Sequence, residues 1–163
     1  MKNRHILSVL VEDHPGVLNR VVSLLRRRSF NIDSITVGHS EQPGVSRMTI
    51  VVIGRGEEVE QAGKQLYKLM EVLKVTDVTP LNCVAHELAL IKVAGSGDSR
   101  AETLRLADAF RAQIVDATVE SFVFEVTGKP AKIDSFIALM QPLGLVEVVR
   151  TGLAAISRGP QGM

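Results

Sequence analysis

The sequence lacks the residues on which several common kinds of site depend. A single cysteine, Cys83, excludes an intramolecular disulfide and a cysteine-based zinc centre. Aromatic side chains are scarce, with no tryptophan, one tyrosine and five phenylalanines, so the bases of a single strand have almost nothing to stack on. Nineteen lysines and arginines against 18 aspartates and glutamates give no broad cationic field for a phosphate backbone. We therefore expect no nucleic-acid partner.

Long hydrophobic runs are also missing. The apolar run near the N-terminus is interrupted by Ser8 and ends at Glu12 and Asp13, and no small-residue cleavage site follows. This pattern is typical of neither a signal peptide nor a membrane span, so we expect a cytoplasmic protein with no membrane partner. The chain has 163 residues, of which 45% are hydrophobic, enough for one ordinary domain or two small ones.

The order of secondary-structure elements expected from the sequence occurs twice. Short apolar runs rich in β-branched residues predict strands, and apolar residues at helical spacing predict the helices between them. The first cycle comprises His5–Val11, Val17–Arg28, Ile32–Gly38, Arg47–Ile53, Glu57–Leu69 and Val72–Val78. The second begins with the strand Glu87–Val93 and closes with the strand Leu145–Arg150. Strand, helix, two strands, helix and strand form the split βαβ arrangement of a ferredoxin-like sheet.

These patterns predict an α+β protein with two tandem ferredoxin-like βαββαβ domains, residues 1–79 and 80–163. The boundary lies in the segment from Thr79 to Ala85, where Pro80 and Asn82 interrupt the pattern. The tail from Leu153 onward is expected to add a short strand.

The first strand is apolar on both faces. Ile6 and Leu10 lie on one face, and Leu7, Val9 and Val11 lie on the other. Two helices cover only one face of a ferredoxin-like sheet, and a domain of about 75 to 80 residues buries little surface alone. We expect a second copy of the chain, the C-terminal domain or another protein to cover the rest, and a homodimer is the simplest arrangement.

The turn after the first strand has the features of a small-anion site. Residues Asp13–Gly16 connect this strand to the helix that begins at Val17. Unpaired N–H groups and the positive end of the helix dipole point into such a turn, and glycine lets a ligand approach the backbone. Asp13 can accept a hydrogen bond from an ammonium, so an α-amino acid suits the turn. The simpler alternative is that Asp13 only caps the helix and that the proline and glycine only turn the chain.

No catalytic constellation is recognisable elsewhere. His14 lies beside carboxylates, but the sequence places no serine, cysteine or lysine to act with it, and the other histidines are isolated. Cys83 has no identifiable base. The loop Gly95–Asp98 lacks the lysine and the glycine spacing of a phosphate-binding loop, and Arg26–Arg28 fit a solvated helix C-terminus. A binding or regulatory module therefore fits better than an enzyme.

A combination of motifs along essentially the whole chain is shared with one known family. The motifs are Ile6–Glu12 running into Pro15–Leu18, Arg28–Val37, Ser46–Ile50, Gln65–Leu69, Val72–Val75, Glu87–Val93, Phe110–Asp116 and Val148–Gly152. Together they resemble the small regulatory subunit of acetolactate synthase, also called acetohydroxyacid synthase.

The resemblance implies an N-terminal ACT domain, a C-terminal ACT-like domain and a homodimer that binds the large catalytic subunit. It implies no catalytic residue, cofactor or metal in this chain, since thiamine diphosphate, magnesium and FAD belong to the catalytic subunit. In this family the small subunit raises the activity of the large one in branched-chain amino-acid biosynthesis and confers feedback inhibition by valine.

Carried over by position, the implied valine site joins the turn and the helix start to the start of the second strand, which closes the pocket across the dimer interface. The implied residues are Asp13, His14, Pro15, Gly16, Val17, Leu18, Asn31 and Ile32. Some relatives instead carry Asn at the position of Asp13 and Ser at that of Asn19. A free-standing ACT-type amino-acid sensor with a different partner and a small enzyme on a ferredoxin-like scaffold are the alternatives.

Overall fold

The computed structural model describes residues 3–79 and 82–163, which form two compact units. One unit contains the described residues up to Val84 together with Leu153–Met163, and the other contains Ala85–Gly152. The division at Val84 falls within the segment where the sequence places the boundary. The C-terminal segment differs from the expectation of a second domain over 80–163, because it groups with the first unit.

The first unit is a four-stranded antiparallel sheet with two helices on one face. Val17, Val21 and Leu25 recur at helical spacing, are buried, and pack against the helix-facing side of the first strand. The strands follow the order β2-β3-β1-β4. The elements are β1 (Asn3–Glu12), α1 (Val17–Arg27), β2 (Asn31–His39), β3 (Val45–Gly54), α2 (Gly56–Leu66) and β4 (Val72–Asp77).

The second unit repeats this topology, with strand order β6-β7-β5-β8. Phe122, Phe124 and Val126 alternate along one face of a central strand and pack against Ile133 and Phe136 of a helix. The elements are β5 (Cys83–Ala94), α3 (Asp98–Ala109), β6 (Gln113–Ala117), β7 (Ser121–Gly128), α4 (Pro130–Met140), a 3-10 turn (Gln141–Leu143) and β8 (Leu145–Arg150). The predicted α+β fold of two ferredoxin-like units is confirmed.

The second face of the first sheet is covered by the chain's own C-terminal segment. The Thr36 hydroxyl donates to the Leu153 carbonyl oxygen at 3.1 Å, and the Leu153 N–H donates to the Ser34 hydroxyl oxygen at 3.5 Å. The segment continues as β9 (Ala154–Ser157), which contacts β1 and confirms the predicted C-terminal strand. Buried residues on this side include Ser8, Leu10, Thr49, Val51, Leu153 and Ala155. The tail thus supplies cover for the face of β1 that the helices leave open.

Candidate functional site

The turn at the end of β1 leads directly into α1. The Asp13 N–H donates to the Gly44 carbonyl oxygen at 2.9 Å, which ties the turn to the loop before β3. Gly16 precedes α1 with φ +87° and ψ −6°, a left-handed conformation that glycine adopts without steric cost. Apart from its chain neighbours, no atom of the described residues lies within 4 Å of where a Cβ would stand on Gly16, so a ligand can approach the backbone there.

The first turn of α1 presents N–H groups without a side-chain cap. No side chain in the part of the chain that the structure describes caps this turn, and the turn contains no acidic residue. The Val17 N–H donates to the His14 carbonyl oxygen at 3.3 Å, a long contact. The next two N–H groups, of Leu18 and Asn19, have no acceptor within an α-helix, and the positive end of the helix dipole adds to them. The alternative in which Asp13 caps this helix is wrong, and the helix start is open to an anion.

The carboxylates around the turn are paired with histidines and stay accessible. Asp13 Oδ2 lies 3.4 Å from His39 Nδ1, and Glu12 Oε2 lies 3.0 Å from His14 Nε2. All four side chains are exposed by more than two fifths. A solvent-exposed carboxylate therefore lies next to a helix N-terminus in the chain. The first suits the ammonium group of an amino acid, and the second suits its carboxylate.

The two apolar residues at the start of α1 have different roles. Val17 is 4% exposed and belongs to the core, so only its backbone is available to a ligand. Leu18 is 43% exposed and presents an apolar surface next to the turn. The structure thus brings Asp13 through Leu18 together at one end of the sheet.

Asn31 and Ile32 lie at the other end of the same sheet. Asn31 pairs with Ile53 at the end of β3, whereas His39, beside the turn, pairs with Ser46 near its start. A strand rises about 3.3 Å per residue, so these two ends of β2 are separated by roughly 25 Å. Within one chain the structure does not bring Asn31 or Ile32 to the turn.

The start of β2 borders a cavity that the sequence pattern did not indicate. The cavity has a volume of about 410 Å³, and Asn31, Phe30 and Glu58 line it. At the edge of the cavity Arg28, which directly follows α1, donates to Gln65 Oε1 of α2 at 3.1 Å. The contributing residues come from β2, β3, α2 and the segment between α1 and β2, so only the tertiary fold reveals the cavity.

Other functions would depend on metal-ligating clusters, on the cysteine or on the hydrophobicity of the helices. In residues 3–79 and 82–163, no group of three or more histidine, cysteine, aspartate or glutamate side chains is arranged to hold a metal ion. Cys83 carries a free, half-buried thiol. None of the helices in these residues combines the length and hydrophobicity needed to cross a bilayer.

Two family models match the chain, one in each half. The model described as an AHAS small subunit-like ACT domain matches residues 7–74, and that of the small subunit of acetolactate synthase matches residues 86–159. The acetolactate synthase small subunit of Bacillus subtilis is 47% identical over 159 residues, covering 97% of this chain and 92% of that protein. The corresponding protein of Mycolicibacterium smegmatis is 46% identical, with 98% and 94% covered. The crystal structure of the acetolactate synthase small subunit from Thermotoga maritima matches with a TM-score of 0.92 and 44% identity, over 98% of this chain and 99% of that one.

Proposed function

The chain belongs to the family of acetolactate synthase small subunits, and from that premise we propose that it is a non-catalytic regulatory subunit that activates the catalytic subunit and makes it sensitive to valine. The observation that carries the valine site is the uncapped start of α1 behind left-handed Gly16, with Asp13 beside it. Thiamine diphosphate, magnesium and FAD are assigned to the catalytic subunit.

The geometry of the turn suits the two charged groups of an α-amino acid. The carboxylate of valine would accept hydrogen bonds from the N–H groups of Leu18 and Asn19, where the helix dipole favours negative charge. Its ammonium would lie against the Asp13 carboxylate, which is exposed by nearly half. The isopropyl group would contact the exposed side of Leu18.

A second copy of the chain supplies the rest of the proposed site. In the order of the first sheet β2 lies at the edge beside β3. Among the described residues its outer N–H and C=O groups face no further strand of this sheet and can pair with another β2. Antiparallel pairing about a two-fold axis near Ile35 sets Asn31 of one copy opposite His39 of the other, because position 35 is midway between 31 and 39. Asn31 and Ile32 of the second copy would then close the pocket at the turn.

Burial between two copies gives valine a way to regulate. A ligand shifts an equilibrium only if it binds one state more tightly than another, and such coupling is typically about 1 to 3 kcal/mol. A valine that contacts two copies at once binds the paired arrangement more tightly than any arrangement in which the pocket is open. The valine-bound pair would hold the catalytic subunit in its less active state.

The proposal is tested by calorimetric titration of the full chain with L-valine, together with co-purification with the catalytic subunit. Glycine is the matched ligand, because it carries the same charged groups without the isopropyl group. We expect saturable binding of L-valine, weaker binding of glycine and a stable complex with the catalytic subunit. Valine binding without a complex would favour the free-standing sensor, and the absence of both would contradict the proposal.

A further inference from the structure

A groove in the first unit is rich in positive charge. The groove lies on the sheet face opposite the helices, beneath the C-terminal segment, and has a volume of about 330 Å³. Arg47, Lys74 and Arg158 line it together with Met163, and no aspartate or glutamate side chain of residues 3–79 and 82–163 does. No residue of the turn Asp13–Leu18 contributes to it, so it is distinct from the amino-acid site proposed above.

Strand register explains how cations and hydroxyls come to share this face. Leu10 of β1 lies between Arg47 of β3 and Lys74 of β4 in the two ladders. Two residues earlier on the same side of β1, Ser8 pairs with Thr76 of β4. Neighbouring strands are about 4.8 Å apart, so the Cα atoms of the two cations are separated by roughly 10 Å. Long basic side chains at this spacing reach a common ligand above Leu10.

The Ser8 hydroxyl lies in this lining without a partner. Ser8 is 1% exposed, and its Oγ makes no hydrogen bond with any described residue. A buried hydroxyl without a partner costs free energy, and folded proteins leave few polar groups in that state. The hydroxyl therefore indicates a hydrogen-bonding group that the chain itself does not provide.

The cations of the groove also have little internal compensation. Among residues 3–79 and 82–163, Lys74 and Arg158 have no carboxylate within the 4.0 Å of an ion pair. Arg47 has Glu41 as a partner, at 3.6 Å, and Glu41 does not line the groove. Three positive charges around one small space repel one another, and a bound anion would offset this repulsion because it attracts all three.

We propose that this groove binds a small phosphate-bearing anion at a second site, separate from that of the amino acid. The cations come from β3, β4 and the C-terminal segment, so donors approach from different sides and match a tetrahedral group with several acceptor oxygens. A planar carboxylate would be satisfied by one bidentate arginine and does not need cations from three segments. Val78 and Ile156 provide apolar contacts for the organic part. Binding would also hold the C-terminal segment against the sheet, since Arg158 belongs to it.

The experiment is calorimetric titration of the full chain with pyrophosphate, ribose 5-phosphate and citrate, at low and at physiological salt. Lys74→Met removes one cation of the groove, and Lys68→Met is the matched control, because Lys68 is an exposed lysine outside it. We expect both phosphates to bind more tightly than citrate. Lys74→Met should weaken phosphate binding about tenfold or more, as for one lost charge-assisted hydrogen bond, with Lys68→Met unchanged.

Ser8→Ala separates a ligand-binding role from a structural one. It removes the unpartnered hydroxyl, so the unfolding temperature of the free chain should stay the same or rise while phosphate binding weakens. No phosphate binding to the wild-type chain in the low millimolar range would overturn the proposal. Tighter binding of citrate, or equal losses in Lys74→Met and Lys68→Met, would contradict the phosphate class or the location. Binding unchanged in both Lys74→Met and Ser8→Ala would do the same.

Discussion

A negative charge at Gly16 is expected to prevent valine binding while the fold is retained. Space for a side chain exists there, since no described residue other than its chain neighbours lies within 4 Å of the Cβ position. In Gly16→Asp the new carboxylate would occupy the region proposed for the carboxylate of valine. The backbone cost is that of a non-glycine residue at φ +87°, about 1 kcal/mol, which Asp tolerates better than most residues.

The size of the effect follows from Coulomb's law. Two unit charges about 4 Å apart at an effective dielectric of about 20 repel by roughly 4 kcal/mol. The turn is exposed and screened by solvent and salt, which reduces this to about 2 to 3 kcal/mol. We therefore expect Gly16→Asp to raise the Kd of L-valine roughly 30- to 150-fold, as measured by calorimetry on the full chain.

Gly16→Asn is the matched control for this prediction. Asn has almost the same shape as Asp and a similar tolerance of the left-handed conformation, but it carries no charge. Both variants should unfold at similar urea concentrations, and Gly16→Asn should keep much more of its affinity. Equal affinities for valine in the two variants would refute the assignment of the ligand carboxylate to the start of α1.

Three further predictions concern other parts of the chain. The first uses a chain in which the native cysteine is replaced by alanine. If β2 pairs with its own copy about an axis near Ile35, Ile35→Cys should form a disulfide-linked dimer in this chain. A cysteine on the opposite edge strand, β4, should not. Arg150 donates to the 5% exposed carboxylate of Glu87, and this hydrogen bond raises the pKa of Arg150. Arg150→Met should therefore lower the free energy of unfolding in urea by about 2 to 3 kcal/mol, and adding Glu87→Gln should recover part of that loss. The hydrogen bond from Lys64 lowers the pKa of Glu60 in the folded chain, so any stability from this pair is present above the unfolded pKa of Glu60 and is lost as the pH falls. Lys64→Met should raise the folded-state pKa of Glu60 in an NMR titration and hardly move the unfolding midpoint at neutral pH.

Each of these has a contrary outcome. Cross-linking through β4 alone would mean that the dimer interface lies at β4 and not at β2. An Arg150→Met chain as stable as wild type would mean that water reaches the Glu87 carboxylate. An unchanged titration of Glu60 in Lys64→Met would show that the pair does not form in solution.

The helix α1 and the turn before it were predictable because their signals are local. Val17, Val21 and Leu25 follow the helical period, and Gly16 lies directly beside them in the chain. The double-sided apolar pattern of β1 predicted that something must cover its second face. It left three candidates for the cover open, a second copy, the C-terminal domain and another protein, because the contact between Thr36 and Leu153 joins residues 117 positions apart. No local period encodes such a pairing.

The cationic groove and the cavity beside Asn31 were not predictable for a related reason. Arg47 and Lys74 are 27 positions apart, and only the registers of β3 and β4 on β1 place both beside Leu10. A shift of one residue in either register would move that cation to the helix side of the sheet. Ser8 likewise looked like an interruption of an apolar run, and its significance follows from burial without a partner.

Regulation of the catalytic subunit by this chain can be measured as acetolactate formation from pyruvate. The assay uses the catalytic subunit of the same organism, with and without this chain and with and without L-valine. We predict that the chain raises the rate and that valine reverses the increase. Gly16→Asp should still stimulate, with little reversal at the valine concentration that inhibits the wild-type complex. A chain that neither stimulates the catalytic subunit nor confers sensitivity to valine would contradict the proposed function.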